Sequence, residues 1–130
     1  MKVAIYGQYY LVSTEPIIKD IFVFFNNNNV EMAIESDFLN MLYEKKIIQK
    51  EYKTFSSDDV LDSSFDMLIS IGGDGTMLRA VTLVRNSRIP ILGINAGRLG
   101  FLATVQKENI AAFMQLVIDK KYKISKRTLL

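Results

Sequence analysis

The sequence has no cysteine and no histidine. The first absence excludes disulfides, thiolate zinc sites and a thiol nucleophile within this chain. The second excludes a Ser-His-Asp triad and imidazole metal ligands. Long apolar runs are also missing. The longest, such as Ile21 to Phe25, fall far short of the roughly 20 consecutive apolar residues that a membrane-spanning helix needs. The N-terminus, Met1 to Tyr10, has one early lysine, an apolar run too short for a secretory signal and no cleavage site after it; it reads as a first strand. A cysteine-free chain fits a reducing compartment, and the reading that follows is a cytoplasmic protein with no membrane association. Neither sign of charge dominates, since 16 basic residues face 14 acidic ones for a net charge of +2. The last segment is locally basic through Lys120, Lys121, Lys123, Lys126 and Arg127. A nucleic-acid stripe would interleave aromatics with these charges. Only Tyr122 is there, so a solvated or partner-facing surface is the better reading, and no nucleic acid is expected.

What the chain does have is apolar content, 49% of 130 residues, enough for one domain with a real core. Two periods alternate along it. Val3 and Ile5 belong to a short buried strand ending at Gly7. Ser13 or Thr14 caps a helix that has Pro16 in its first turn and Ile17, Ile18, Ile21, Phe22, Phe24 and Phe25 at helical spacing. Asn26 to Asn29 stop it, because Asn tolerates the left-handed conformation of a helix C-terminus. Val30 to Glu35 is a second strand. Ser36 or Asp37 caps a second helix with Phe38, Met41, Leu42 and Lys45 on one face. Thr54 to Ser64 is polar and reads as loop. Asp66 to Ile71 is a third strand that runs into Gly72-Gly73. A helix begins near Gly75 with Met77, Leu78, Val81 and Val84 on one side. Pro90 to Ile94 is a fourth strand, Ile110, Phe113, Met114, Val117 and Ile118 mark a further helix, and Tyr122 to Leu130 suits another strand. Strands that alternate with helices predict an α/β fold, a parallel sheet flanked by helices on both faces. Ligands of such sheets bind beyond the carboxyl ends of the strands. No internal repeat and no domain boundary interrupts residues 1–130.

The stretch richest in chemistry is Ile69 to Arg79. A buried strand enters three glycines and one aspartate, and then a helix opens. Gly72, Gly73 and Gly75 allow positive φ and close approach of a ligand to the backbone. The N–H groups of the helix start suit an anion, and Thr76 either caps the helix or touches a phosphate. Asp74 would repel a phosphate directly, so its use lies in accepting a hydroxyl proton or holding Mg²⁺. The residues alone leave a second reading open, a tight strand-to-helix turn in which Asp74 is the cap. The P-loop lysine and the full G-x-G-x-x-G spacing are both missing.

Gly72-Gly73-Asp74-Gly75-Thr76 resembles the GGDGT signature shared by NAD kinases, by diacylglycerol and sphingosine kinases and, with small changes, by phosphofructokinases. A second segment chooses among them. Gly93-Ile94-Asn95-Ala96-Gly97-Arg98-Leu99-Gly100-Phe101-Leu102 is similar to the N-x-G-x-L-G-F-L segment of the NAD kinase family. The lipid kinases carry G-T-G-N-D at the comparable place, which this chain does not. The resemblance spans essentially the whole chain and is weakest from Gln8 to Asp62. Without it, the second segment reads equally well as a strand followed by a backbone-serving glycine turn.

The resemblance implies transfer of the γ-phosphoryl of ATP, or in some members polyphosphate, to the 2′-hydroxyl of the adenosine ribose of NAD, giving NADP. It implies Asp74 as the proton acceptor and a Rossmann-like N-terminal nucleotide-binding domain. Gly73 and Gly75 would leave room for ATP phosphates bridged by Mg²⁺, with Thr76 beside them. Arg79 matches a position where the family often has a basic residue near the ligand; a solvated helix charge is its other reading. Asn95, Gly97 and Leu99 would shape the loop beside the substrate, and Phe101 would lie against adenine. Full-length members assemble as dimers or tetramers and continue into a mainly β domain with an Asn-Glu or Asn-Asp pair for the ribose. That domain does not follow Leu130, so this chain alone is expected to be inactive, with Arg98, Lys126 and Arg127 facing the missing segment. Two other classes stay open: another GGDGT kinase acting on a lipid or sugar phosphate, which Asn95 to Leu102 argue against, and a non-catalytic nucleotide sensor, which has no need of Asp74.

Overall fold

The alternation of periods becomes one parallel sheet in the computed structural model, which describes residues 1–7, 15–95, 105–106 and 110–119. The strands are β1 (Lys2–Gly7), β2 (Glu31–Glu35), β3 (Lys53–Phe55), β4 (Met67–Gly72), β5 (Ile91–Asn95) and β6 (Val105–Gln106), in the spatial order β3-β2-β1-β4-β5-β6. All five pairings are parallel. The helices are α1 (Glu15–Asn27), α2 (Ser36–Glu44), α3 (Asp74–Val84) and α4 (Ile110–Ile118). This is the α/β architecture that the sequence predicts.

Strands covered on both faces must be apolar along their length rather than on alternate residues. The first, second and fourth are. Val3, Ile5, Met32, Ile34, Met67, Ile69, Ile71 and Ile94 share one core with residues of α1, α2 and α4. Ala4, Tyr6 and Leu68 share the other with Ala80, Leu83 and Val84 of α3. The expected face of α1 is buried at Ile17, Ile18, Ile21, Phe22 and Phe25, with Phe24 half-buried. Each such side chain contributes about 1.5–3 kcal/mol on full burial. Pro16 stands in the first turn of α1, where a missing N–H costs nothing. Asn29 takes the left-handed conformation at φ 56°. The proposed caps Ser13 and Thr14 lie outside the described residues. In α4, Met114 and Val117 are buried as expected and Ile118 partly so.

Four expectations need correction. The cap of α2 is Glu35, not Ser36 or Asp37. Its Oε1 accepts from the Asp37 N–H at 3.1 Å and its Oε2 from the Phe38 N–H at 2.8 Å. Ser36 is already helical, and its hydroxyl donates to the Phe55 carbonyl at 3.0 Å instead. The packed face of α2 is Phe38, Leu39 and Leu42; Lys45 is the exposed C-cap. The polar stretch read as loop starts inside a strand, because Lys53–Phe55 pairs along the edge of β2. A three-residue edge strand has too few alternations to announce itself. The buried face of α3 is Thr76, Ala80, Leu83 and Val84, while Leu78 is 49% exposed. Small residues at the start of the face let the helix sit close to the sheet, and a search for large apolar residues passes over them. The strand β6 was not expected, and the strand expected at Tyr122 to Leu130 lies outside the described residues.

Candidate functional site

The chain leaves β1 toward β2 and β3 on one side of the sheet, then returns to build β4, β5 and β6 on the other. The reversal falls between β1 and β4, and the crevice beyond their carboxyl ends is where such sheets bind ligands. Gly7 ends β1 opposite Ile71, and Gly72 ends β4 opposite Asn95. The Gly72–Thr76 turn therefore opens at this switch point.

Its glycines differ in purpose. Gly72 has φ +155°, and a Cβ there would stand 2.4 Å from Thr76 Oγ1 and 2.9 Å from its Cβ. Gly72 is thus required by the protein itself. Gly73 is extended at φ −117°, so the positive φ expected at all three glycines occurs at Gly72 alone among them. At Gly73 and Gly75 an added Cβ would meet nothing within 4 Å. No protein packing demands glycine at either, and each leaves open space beside the helix start.

The N-cap of α3 is Gly73, whose carbonyl accepts the first helical bond from the Met77 N–H at 3.0 Å. Asp74 is therefore the first helical residue and not the cap, which removes the reading of this turn as a simple Asp-capped one. It is half-buried, at the end of the helix where the dipole favours negative charge. The N–H groups of Gly75 and Thr76 belong to the first turn and have no acceptor within the helix. Thr76 is 1% exposed, and its Oγ1 is the one buried side-chain polar atom among the described residues without a hydrogen-bond partner. It does not cap α3. An orphaned hydroxyl of this kind costs about 1–3 kcal/mol unless something satisfies it. An anion seated at the helix start would.

Arg79 lies one turn beyond Gly75 and is exposed. Its charge acts on the phenol of Tyr6, the penultimate residue of β1. Burial pushes the Tyr6 phenol above its ordinary range. The Arg79 charge opposes that rise, and the carboxylates of Glu35 and Asp37 add to it. Glu35, 2% exposed at the carboxyl end of β2, has both oxygens occupied by the start of α2. It is a structural carboxylate, not a ribose ligand.

The structure thus brings Gly73, Asp74, Gly75, Thr76 and Arg79 to the switch point, with the backbone of Asn95 beside Gly72. Gly97, Leu99 and Phe101 lie outside the described residues. Sequence reasoning missed Tyr6 and Glu35. The signal for Tyr6 was a polar-tipped aromatic one residue before the glycine that ends a buried strand. For Glu35 it was an acid between a strand and two residues that favour helix starts. Among the described residues no group of three acidic side chains could hold a metal ion, and no helix is long and apolar enough to cross a membrane.

Residues 11–122 match the family described as ATP-NAD kinase N-terminal domain. The chain is 71% identical over 130 residues to an NAD kinase of Flavobacterium johnsoniae, covering 100% of this chain and 44% of that protein. It is 33% identical to an NAD kinase of Methanothermobacter thermautotrophicus, covering 100% of this chain and 43% of the relative. The chain therefore spans less than half the length of these curated relatives. Among solved structures, yeast NADH kinase complexed with NADH has the same fold, with a TM-score of 0.72 and 18% identity, over 98% of this chain and 40% of that one. The glycine-aspartate turn at the switch point and the match of the sequence itself lead to one assignment: the chain belongs to the ATP-NAD kinase N-terminal domain family.

Proposed function

We propose that this domain forms the phosphate-and-base side of an NAD kinase, transferring the γ-phosphoryl of ATP to the 2′-hydroxyl of the adenosine ribose of NAD. The observation that carries the proposal is a carboxylate, Asp74, inside a turn otherwise suited to phosphates, at the sheet's switch point. The 2′-oxygen forms a bond to the γ-phosphorus while the bond to the bridging oxygen breaks, and ADP leaves with that electron pair. The hydroxyl proton passes to Asp74. A ribose hydroxyl does not ionise near neutrality, so a positioned base acts as the transition state forms and contributes about 10²–10⁴-fold. The remainder is positioning and charge stabilisation. Open space at Gly73 and Gly75 suits phosphate oxygens, and the orphaned Thr76 hydroxyl suits a bond to one of them. Arg79 adds positive charge one turn away.

Mg²⁺ demands octahedral oxygen ligands and commonly takes one or two carboxylates with water and substrate phosphates. Such an ion would enter with the donor phosphates in the open space at Gly73 and Gly75, with Asp74 left to the hydroxyl. It would neutralise charge on the donor phosphates. Asn95, Gly97 and Leu99 would shape the substrate loop, with Phe101 against adenine. The intact protein is, by the same proposal, a cytoplasmic homo-oligomer, dimer or tetramer. The 130 residues alone turn over little, because the relatives carry more than half their length beyond the matched part.

The test is acceptor choice. Intact protein with ATP and Mg²⁺ is offered NAD, NADH, diacylglycerol or a sugar phosphate in separate reactions, with polyphosphate as a second donor. NADP from NAD is the expected product. The solved relative was complexed with NADH, so phosphorylation of NADH would extend the proposal. Phosphorylation of only the lipid or the sugar phosphate would replace it with another GGDGT kinase. Nucleotide binding without any transfer would leave a sensor.

A further inference from the structure

We propose that Phe38 is a positioning residue: its ring, seated on Gly7, fixes the carboxyl end of β1 and, through the strand pair, the turn that meets the nucleotide phosphates. The inference rests on the kinase reading above and adds a residue outside both glycine motifs. Gly7 is the last residue of β1 and lies opposite Ile71, the residue before Gly72. An added Cβ at Gly7 would stand 2.5 Å from Cε1 and 2.7 Å from Cζ of Phe38, so the edge of the ring rests on the glycine backbone. Gly72 is the one glycine with positive φ among the described residues, so the ring, not the backbone conformation, demands glycine at position 7. The ring has little freedom to move away. Phe38 stands in the first turn of α2, and its N–H donates to Glu35 Oε2 at 2.8 Å. The same turn is tied to β3 by the Ser36 hydroxyl, which donates to the Phe55 carbonyl at 3.0 Å. The side chain is buried in the core that also holds Ile5 and Ile34. Five register pairs join β1 to β4, and Gly7–Ile71 is the one nearest the carboxyl edge. A displacement of Gly7 therefore passes to Ile71 and to the turn that springs from it. Gly72 is itself confined by Thr76, so the turn follows the strand end rather than absorbing the movement. Phe38 acts through the strand pair and not on the ligand.

The test is a mutant cycle in intact protein, with NADP formation from ATP and NAD measured well below each thermal midpoint. Gly7→Ala drives a Cβ into the ring and should lower kcat/KM for ATP by about 10–10²-fold, the scale of a small misplacement remote from the chemistry. Phe38→Leu keeps an apolar side chain but loosens the contact, and should lower kcat/KM by a few-fold. In the Phe38→Leu background, Gly7→Ala should have no further effect, because the ring edge it would strike is gone. Leu42→Ala, fully buried and further along α2, is the control for destabilisation alone. It should lower the thermal midpoint and leave kcat/KM close to the wild-type value. Unchanged kcat/KM in Gly7→Ala or in Phe38→Leu overturns the proposal. An undiminished effect of Gly7→Ala in the Phe38→Leu background overturns it, and so does an equal loss in Leu42→Ala. In each of these cases wild-type NADP formation shows that the kinase reading itself survives. No NADP from the folded wild-type protein ends both.

Discussion

At the scale of single residues, the turn after β4 separates one glycine that the fold requires from two that protein packing does not. Gly72→Ala forces a Cβ against Thr76 at a φ that side chains rarely adopt. It should destabilise the protein by more than 1 kcal/mol, seen as a lower thermal midpoint. Gly73→Ala meets nothing and should leave the midpoint within a degree or two, yet it should weaken ATP binding measurably by calorimetry. Equal loss of stability in both variants would contradict the distinction. Thr76 allows a test of opposite sign. Thr76→Val removes a buried hydroxyl that lacks a partner, so the ligand-free protein should hold its stability or gain about 1 kcal/mol, while ATP affinity falls. A loss of stability without ligand would mean that the hydroxyl has a structural bond. The glycines, Asp74, Thr76 and Arg79 were all legible in the sequence, because a strand, a glycine cluster and a helix start are written in residue type. The burial of Tyr6 against α3 was not, because it depends on a strand and a helix far apart in the chain packing together.

At the scale of elements, α3 shows what periodicity conveys and what it misses. Its existence and its start were clear from the glycines. Its buried face was not, since Thr76 and Ala80 carry little hydrophobic signal and Leu78 carries much. The packing makes a definite prediction. Leu83→Ala, at a fully buried position, should cost about 2–5 kcal/mol in chemical denaturation, and Leu78→Ala about 0.5 kcal/mol or less. Comparable losses would restore the face read from the sequence. The cap of α2 was misplaced by one residue for a similar reason. Ser36 and Asp37 favour caps by type, but Ser36 is drawn to β3, and Glu35 has a chain long enough to reach both N–H groups from the end of β2. The short strands β3 and β6 gain their order from pairing with β2 and β5, which no local pattern encodes.

At the scale of the whole molecule, the strand order β3-β2-β1-β4-β5-β6 puts the turn between the fourth strand and the third helix at the sheet's switch point. Among the described strands only the β1–β4 boundary has chain departing in opposite directions on its two sides, and the carboxylate-bearing turn opens there. The parallel class was legible from the alternation of periods, and the position of the crevice followed once the order of strands was known. The chain spans 44% of the length of its Flavobacterium johnsoniae relative, and the fold alone does not specify an activity. The central claim is that Asp74 is the base. The most direct measurement compares wild-type intact protein with its Asp74→Asn variant for NADP formation and for ATP binding. Loss of about 10²–10⁴-fold in kcat with ATP binding retained is the predicted result. A variant that forms NADP within a few-fold of the wild-type rate would contradict the assignment and return Asp74 to a structural place at the start of α3.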